Sequence, residues 1–155
     1  MIKETTLCYT FDEDKVLLMY RDKKEIDYNK NKWIGIGGKL LDGETPEEGV
    51  RREFMEETGY ELVEPRYCGK VDFRYIDKSY EEIMHVFTSH QHLGSLPECD
   101  EGTLALIPLN ELKDEMFWEG DLVFMPLITT QTPFFHLVLV YDKNDHLVEH
   151  HFEKE

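Results

Sequence analysis

A chain of 155 residues with a formal net charge of -16 lacks the Lys and Arg surplus that neutralises a nucleic-acid polymer. No apolar run approaches the ~20 residues of a bilayer span, so a membrane partner is excluded as well. The hydrophobic share of 41% and aromatic share of 12% are those of a globular protein, read as a single domain over residues 1–155. The start, MIKETTLCYT, has no apolar block behind a basic region, and a cytoplasmic location is the expectation. Cys8, Cys68 and Cys99 are odd in number and lack zinc spacing, which reads as buried thiols.

In chain order, runs rich in β-branched, aromatic and aliphatic residues predict strands from Thr5 to Thr10 and from Lys15 to Tyr20, with Asp12-Glu13-Asp14 as the hairpin turn between them. The best-marked element is a helix from Pro46 to Thr58. Thr45 and Glu48 form a capping box, Pro46 takes the first helical position, and Gly59 supplies the stop. On it Val50 and Phe54 lie one turn apart and can dock on a sheet, while Glu53, Glu56 and Glu57 share an arc of roughly 100° beside them. Strands follow at Tyr67 to Tyr75, Glu82 to Thr88 and Thr103 to Pro108, then short helical pieces at Leu109 to Lys113 and Leu122 to Leu127. The last strands run from Phe134 to Tyr141 and Leu147 to Phe152, around a DKND turn. Strands dominate and helices cover them, which reads as a mixed α/β sandwich.

Chemistry concentrates between Gly38 and Tyr60, where seven acids face two arginines and Lys39. Like-charge repulsion on that scale works against folding unless a divalent cation relieves it. A Glu-rich helix alone is ordinarily a solvated face. Here Gly38, Glu44, Arg52, Glu53, Glu56, Glu57 and Gly59 stand at spacings whose chance occurrence is on the order of 10⁻⁷ for this composition.

The segment GKLLDGETPEEGVRREFMEETGY resembles the Nudix box, G-x5-E-x7-R-E-U-x-E-E-x-G-U with U a bulky apolar residue, and departs from it only in the aromatic Tyr60. The resemblance implies an α/β/α sandwich with a mixed β-sheet and a loop-helix-loop, and hydrolysis of a nucleoside diphosphate linked to another moiety. It implies Mg²⁺, or Mn²⁺, held by Glu53, Glu56, Glu57 and the Gly38 carbonyl; these are hard oxygen donors that suit such ions. Arg52 matches an orienting arginine that holds a box carboxylate, with Glu44 and Glu53 as acceptors. Lys39 is placed to touch a phosphate. The base that takes the proton of the attacking water is Glu53, Glu56 or a carboxylate from another loop, with Glu101 the outside candidate.

Beyond the box, KWIGIGGKLLDGET, MHVFTS, SLPECDE and KDEMFWEGDLVFMPLI are similar to the MutT-type branch, in particular its oxidised purine nucleoside triphosphatases. That likeness implies a base slot formed by Trp118 and Asp121, with Phe73 and Tyr28 as stacking candidates. Read without it, Trp118 and Phe73 are equally core residues and Asp121 a helix cap. Ile34 stands where the branch has a base-reading asparagine, and Gly120 where it has a second aspartate. Losing such polar contacts relaxes base selection, so acceptance of several purine triphosphates is expected. The seven histidines have no metal-ligand spacing and receive no role.

The expected activity is therefore a metal-dependent pyrophosphohydrolase of purine nucleoside triphosphates such as 8-oxo-dGTP, with a small-molecule nucleotide as its partner. Its alternatives are hydrolysis of ADP-ribose, another nucleotide sugar or a dinucleoside polyphosphate, a non-catalytic nucleotide-binding module, and a plain cation buffer. The sequence carries no indication of oligomeric state.

Overall fold

The computed structural model describes residues 2–23, 31–128 and 133–153. Its strands are β1 (Ile2–Asp12), β2 (Lys15–Tyr20), β3 (Trp33–Ile34), β4 (Arg66–Tyr75), β5 (Glu81–His90), β6 (Thr103–Pro108), β7 (Phe135–Tyr141) and β8 (Leu147–Phe152). Helix α1 spans Pro46–Thr58 and helix α2 spans Glu119–Ile128. All eight strands join one mixed sheet in the order β3-β2-β1-β5-β4-β7-β8, with β6 on the other edge of β2. The pairs β1–β5 and β4–β7 are parallel, and the hairpin neighbours are antiparallel.

Alternation along the strands sends side chains to two cores. Leu7, Tyr9 and Phe11 of β1 point to the face covered by α2, where Phe124 and Ile128 meet Val71, Val86, Leu137 and Leu139. Cys8 of the same strand faces α1, where Val50 and Phe54 pack with Leu17, Met19, Ile36 and Phe87. The result is the helix–sheet–helix sandwich expected from the sequence. A 13-residue helix is marginal alone, so full burial of Val50 and Phe54, roughly 1.5–3 kcal/mol each, anchors α1 in place.

The helix boundaries of α1 agree with the caps read from the sequence. Thr45 Oγ1 accepts from Glu48 N at 3.2 Å, Glu48 returns a bond to Thr45 N at 2.9 Å, and Gly59 closes the helix in the left-handed region at φ 79°. Three expectations need correction. The piece at Leu109 to Lys113 is a single 3-10 turn, Leu109–Glu111, because the Leu112 backbone is extended. The piece at Leu122 to Leu127 starts three residues earlier, since Asp121 Oδ2 accepts from Trp118 N at 3.2 Å and stabilises the first turn of α2. β3 was not anticipated, being only two residues long.

That short strand begins the segment that places the Gly-rich loop. β2 pairs with β1 only near the hairpin, over Lys15 to Leu17, and then with β3 through Met19 and Tyr20. The chain after β3 crosses onto β1, where Cys8 and Ile36 exchange two bonds, Thr6 N donates to Gly38 O at 2.9 Å, and Leu40 N donates to Glu4 O at 3.1 Å. A Cβ at Gly37 would lie 1.9 Å from Thr6 O, so only glycine permits this approach.

Candidate active site

The loop laid along β1 and the solvent flank of α1 meet at Arg52. Its guanidinium grips Glu44 with two bonds, Nε to Oε2 at 2.8 Å and Nη2 to Oε1 at 3.0 Å, and donates from Nη1 to Glu53 Oε1 at 2.9 Å. Nη2 also reaches Lys39 O at 3.1 Å, and Nη1 reaches Glu56 Oε2 at 3.3 Å. One planar donor fork thus ties the Gly-rich loop, the end of that loop and two successive turns of α1 together. The Glu44 carboxyl is held below its usual range by Arg52 and by Leu41 N.

Glu53 packs against the box glycine so closely that a Cβ on Gly38 would lie 2.7 Å from its carboxyl carbon. Burial pushes the Glu53 carboxyl up, Arg52 pulls it back, and the neighbouring Glu56 and Glu101 charges add to the rise. Glu57 lies deeper. It is 7% exposed, its Oε2 has no hydrogen-bond partner, and its carboxyl is pushed up to about 10, first by burial and then by a hydrogen bond to and the charge of Glu101. Glu101 comes from the loop before β6, so a residue 44 positions beyond Glu57 in sequence closes the site from the opposite side.

These groups test well as cation donors. All are hard oxygens, and an orphaned carboxylate oxygen among three further carboxylates is a strong local field for a small divalent ion. Among the described residues no three acidic, His or Cys side chains converge on one point as they stand. The Gly38 carbonyl, offered above as a ligand, accepts from Thr6 N at 2.9 Å and from Thr6 Oγ1 at 3.4 Å, so an ion bound there takes the place of the longer, hydroxyl bond.

A cavity of about 590 Å³ opens beside this cluster. Gly38, Lys39, Glu53 and Glu101 line one end, and Ile34, Phe73, Trp118, Asp121 and Tyr141 line the other. Glu56 and Glu57 are not on its wall: the first is exposed beside Arg52, and the second sits behind Glu101. Ile34 lends an apolar side chain where a polar base contact was looked for. Tyr28 lies outside the described residues. Trp118 is half-buried with Lys32 Nζ 5.1 Å above its ring, so it is not a core residue. Phe73 stacks on Tyr141 at 6.3 Å. Gly120 has no room for a side chain, because a Cβ there would lie 2.3 Å from Tyr141 Oη.

Sequence reasoning missed Tyr9, Arg21 and Tyr141 on the cavity wall. For Tyr141 a signal existed: it shares strand parity with Leu137 and Leu139 and therefore their face. His85 belongs elsewhere. It points to the α1 face of the sheet, where Nε2 pairs with Glu4 Oε1 at 2.9 Å and Nδ1 pairs with the Tyr67 hydroxyl.

Asp121 carries the clearest pH signature. Burial raises its carboxyl to about 7, opposed by the Trp118 N–H and by Lys32. A carboxyl whose folded pKa exceeds its unfolded value of 3.8 binds more protons folded than unfolded between the two, so this contribution to stability falls as pH rises from about 4 to 7. Asp121→Asn should therefore gain stability relative to wild type across that interval, at up to about 1.4 kcal/mol per pH unit. Urea melts of both proteins at pH 5 and 7.5 check this; a constant difference would refute it.

The NUDIX domain model matches residues 1–128. The oxidized purine nucleoside triphosphate hydrolase of Danio rerio is 27% identical over 152 residues, covering 98% of this chain and 95% of that protein. The mouse protein of the same name is 26% identical, covering 83% and 81%. The crystal structure of a MutT protein from Bacillus halodurans superposes with a TM-score of 0.84 over 99% of both chains at 24% identity, a likeness of fold. With an intact box on the helix where the fold requires it and a family match over most of its length, this chain belongs to the Nudix hydrolase family.

Proposed function

We propose that this Nudix hydrolase is a divalent-metal-dependent pyrophosphohydrolase of purine nucleoside triphosphates, oxidised purines among them, releasing the monophosphate and pyrophosphate. The observation that carries the reading is one continuous cavity lined by Glu53 and Glu101 of the carboxylate cluster and by Phe73, Trp118 and Asp121, which suits a phosphate chain joined to a purine. The similarity to proteins named for oxidised purine triphosphates supports the choice of base.

Glu53, Glu56, Glu57 and the Gly38 carbonyl would hold Mg²⁺ or Mn²⁺. When bound, the cation neutralises phosphate charge and acidifies the attacking water. Lys39 binds a phosphate oxygen at the cavity mouth, and Arg52 keeps Glu53 and the glycine loop in register. Water attacks phosphorus in line, a new P–O bond forms, and the bridging P–O bond breaks with its electrons leaving on pyrophosphate. Glu101 takes the water proton: it lines the cavity and its hydrogen bond is to the Glu57 carboxyl, whereas Glu53 on the same wall is tied to the Arg52 guanidinium and Glu56 lies off the wall. Trp118 and Phe73 hold the base, and Asp121 bonds its edge.

A product assay tests this. Normal and oxidised purine triphosphates, ADP-ribose and diadenosine polyphosphates are incubated with Mg²⁺, Mn²⁺ or chelator. Pyrophosphate release from the triphosphates that stops with chelator is the expected result. Turnover confined to ADP-ribose or the dinucleotides, or unaffected by chelator, would overturn it.

A further inference from the structure

Two tyrosines on the cavity floor carry a second reading of the base, resting on the purine slot proposed above. Tyr9, on β1, is 1% exposed and lines the cavity. Tyr141, at the end of β7, is 3% exposed and lines the same floor. Each ring lies close enough to Asp121 to feel its charge. Tyr141 Oη accepts from Gly120 N at 2.9 Å, which uses a lone pair and leaves the O–H to donate. Among the described residues neither hydroxyl proton has an acceptor.

Their positions are held firmly. The Tyr141 ring lies against Phe73 at 6.3 Å and Tyr75 at 6.2 Å, both from the neighbouring β4, and Gly120 yields the space its hydroxyl occupies. The Tyr9 ring packs on Phe124 at 6.3 Å. A buried O–H without an acceptor costs free energy, and both residues line the cavity in which the proposed base would sit.

We propose that Tyr9 and Tyr141 are specificity-determining residues whose hydroxyls donate to the base edge and select a 6-oxo purine over a 6-amino purine. The chemistry follows from the edge itself: a 6-oxo purine offers the O6 acceptor whether or not it is oxidised at C8, whereas adenine replaces O6 by an amino donor. Two O–H donors match the two lone pairs of O6 on the first and meet a donor on the second. A site that hydrogen-bonds a polar group rejects an analogue that leaves its donors unpaired far better than an apolar pocket does. This narrows the relaxed selection that Ile34 and Gly120 suggest.

The test is calorimetric titration of GMP, IMP and AMP into the full-length protein without metal, for wild type, Tyr9→Phe, Tyr141→Phe and the double variant. Wild type should bind GMP and IMP about tenfold or more tighter than AMP, and each Phe variant should shrink that ratio, the double variant most. Tyr141→Phe also unpairs Gly120 N, so thermal melts accompany the titrations. Tyr9→Phe removes a hydroxyl that bonds nothing among the described residues and should melt no lower than wild type. Equal affinity for AMP, no binding of GMP and IMP, or a ratio unchanged within about twofold in the double variant would overturn the proposal. Because binding is read without turnover, a protein that prefers 6-oxo purines yet releases no pyrophosphate would defeat the proposed reaction and leave this inference standing; pyrophosphate release without the preference would do the reverse.

Discussion

Glu57→Gln should lower turnover by about two decades or more, while the metal-free protein stays at least as stable as wild type. The two halves of this expectation have one cause. Glu57 is buried with an orphaned Oε2 and a carboxyl pushed up to about 10, so in the absence of a cation its ionised form is a burden on the fold. Gln keeps the volume and removes the charge. If Glu57 is a metal donor, the same change removes charge stabilisation from the reaction, and two decades correspond to about 2.7 kcal/mol at a factor of ten per ~1.4 kcal/mol. Steady-state rates at saturating Mg²⁺ and urea melts in chelator measure the two halves. Wild-type turnover in the variant would remove Glu57 from the metal set; lost activity together with lost stability would point to a packing role.

The second large effect concerns Arg52. Its side chain is 24% exposed and bonds Glu44 and Glu53, which are 13% and 15% exposed, so the network lies between the surface and buried regimes. Exposed pairs contribute about 0.2–1 kcal/mol and breaking a buried pair costs about 3–5, so Arg52→Ala should destabilise the protein by roughly 2–4 kcal/mol. Turnover should fall about 10–100-fold, because the loop carrying Gly38 and Lys39 is no longer fixed to α1 through Lys39 O and Glu44. The informative companion is Arg52→Lys. Lysine keeps the charge but is a point donor without the planar fork, so it should rescue little of either loss. A lysine variant equal to wild type in both measurements would show that charge alone matters at this position. Added Mg²⁺ should recover part of the stability lost by the alanine variant, since it answers the repulsion that Arg52 otherwise offsets.

How much of this was legible beforehand differs from residue to residue. Thr45, Pro46, Glu48 and Gly59 announced both ends of α1 because caps are local: donor, acceptor and turn lie within one or two turns of chain. β2 and β6 coincide with their predicted bounds because a run of alternating or aliphatic residues needs no distant partner to be recognised. Trp33–Ile34 escaped, since two residues carry no period, and its pairing is set by how β2 leaves β1. Glu101 was visible only as one acid in ECDEG, and its contact with Glu57 depends on where the loop before β6 returns.

The chain's own order of residues determined the reaction class: box spacing, helix signals and an acid surplus are properties of contiguous segments, readable before any folding. Tertiary structure decided which carboxylate is buried, which faces the cavity and what floors the base end. Tyr9, Asp121 and Tyr141 come from three elements spread across the sequence, and only the register of β1, β5, β4 and β7 beneath α2 brings them to one floor. Burial and proximity are set by long-range packing, and no short-range pattern encodes them.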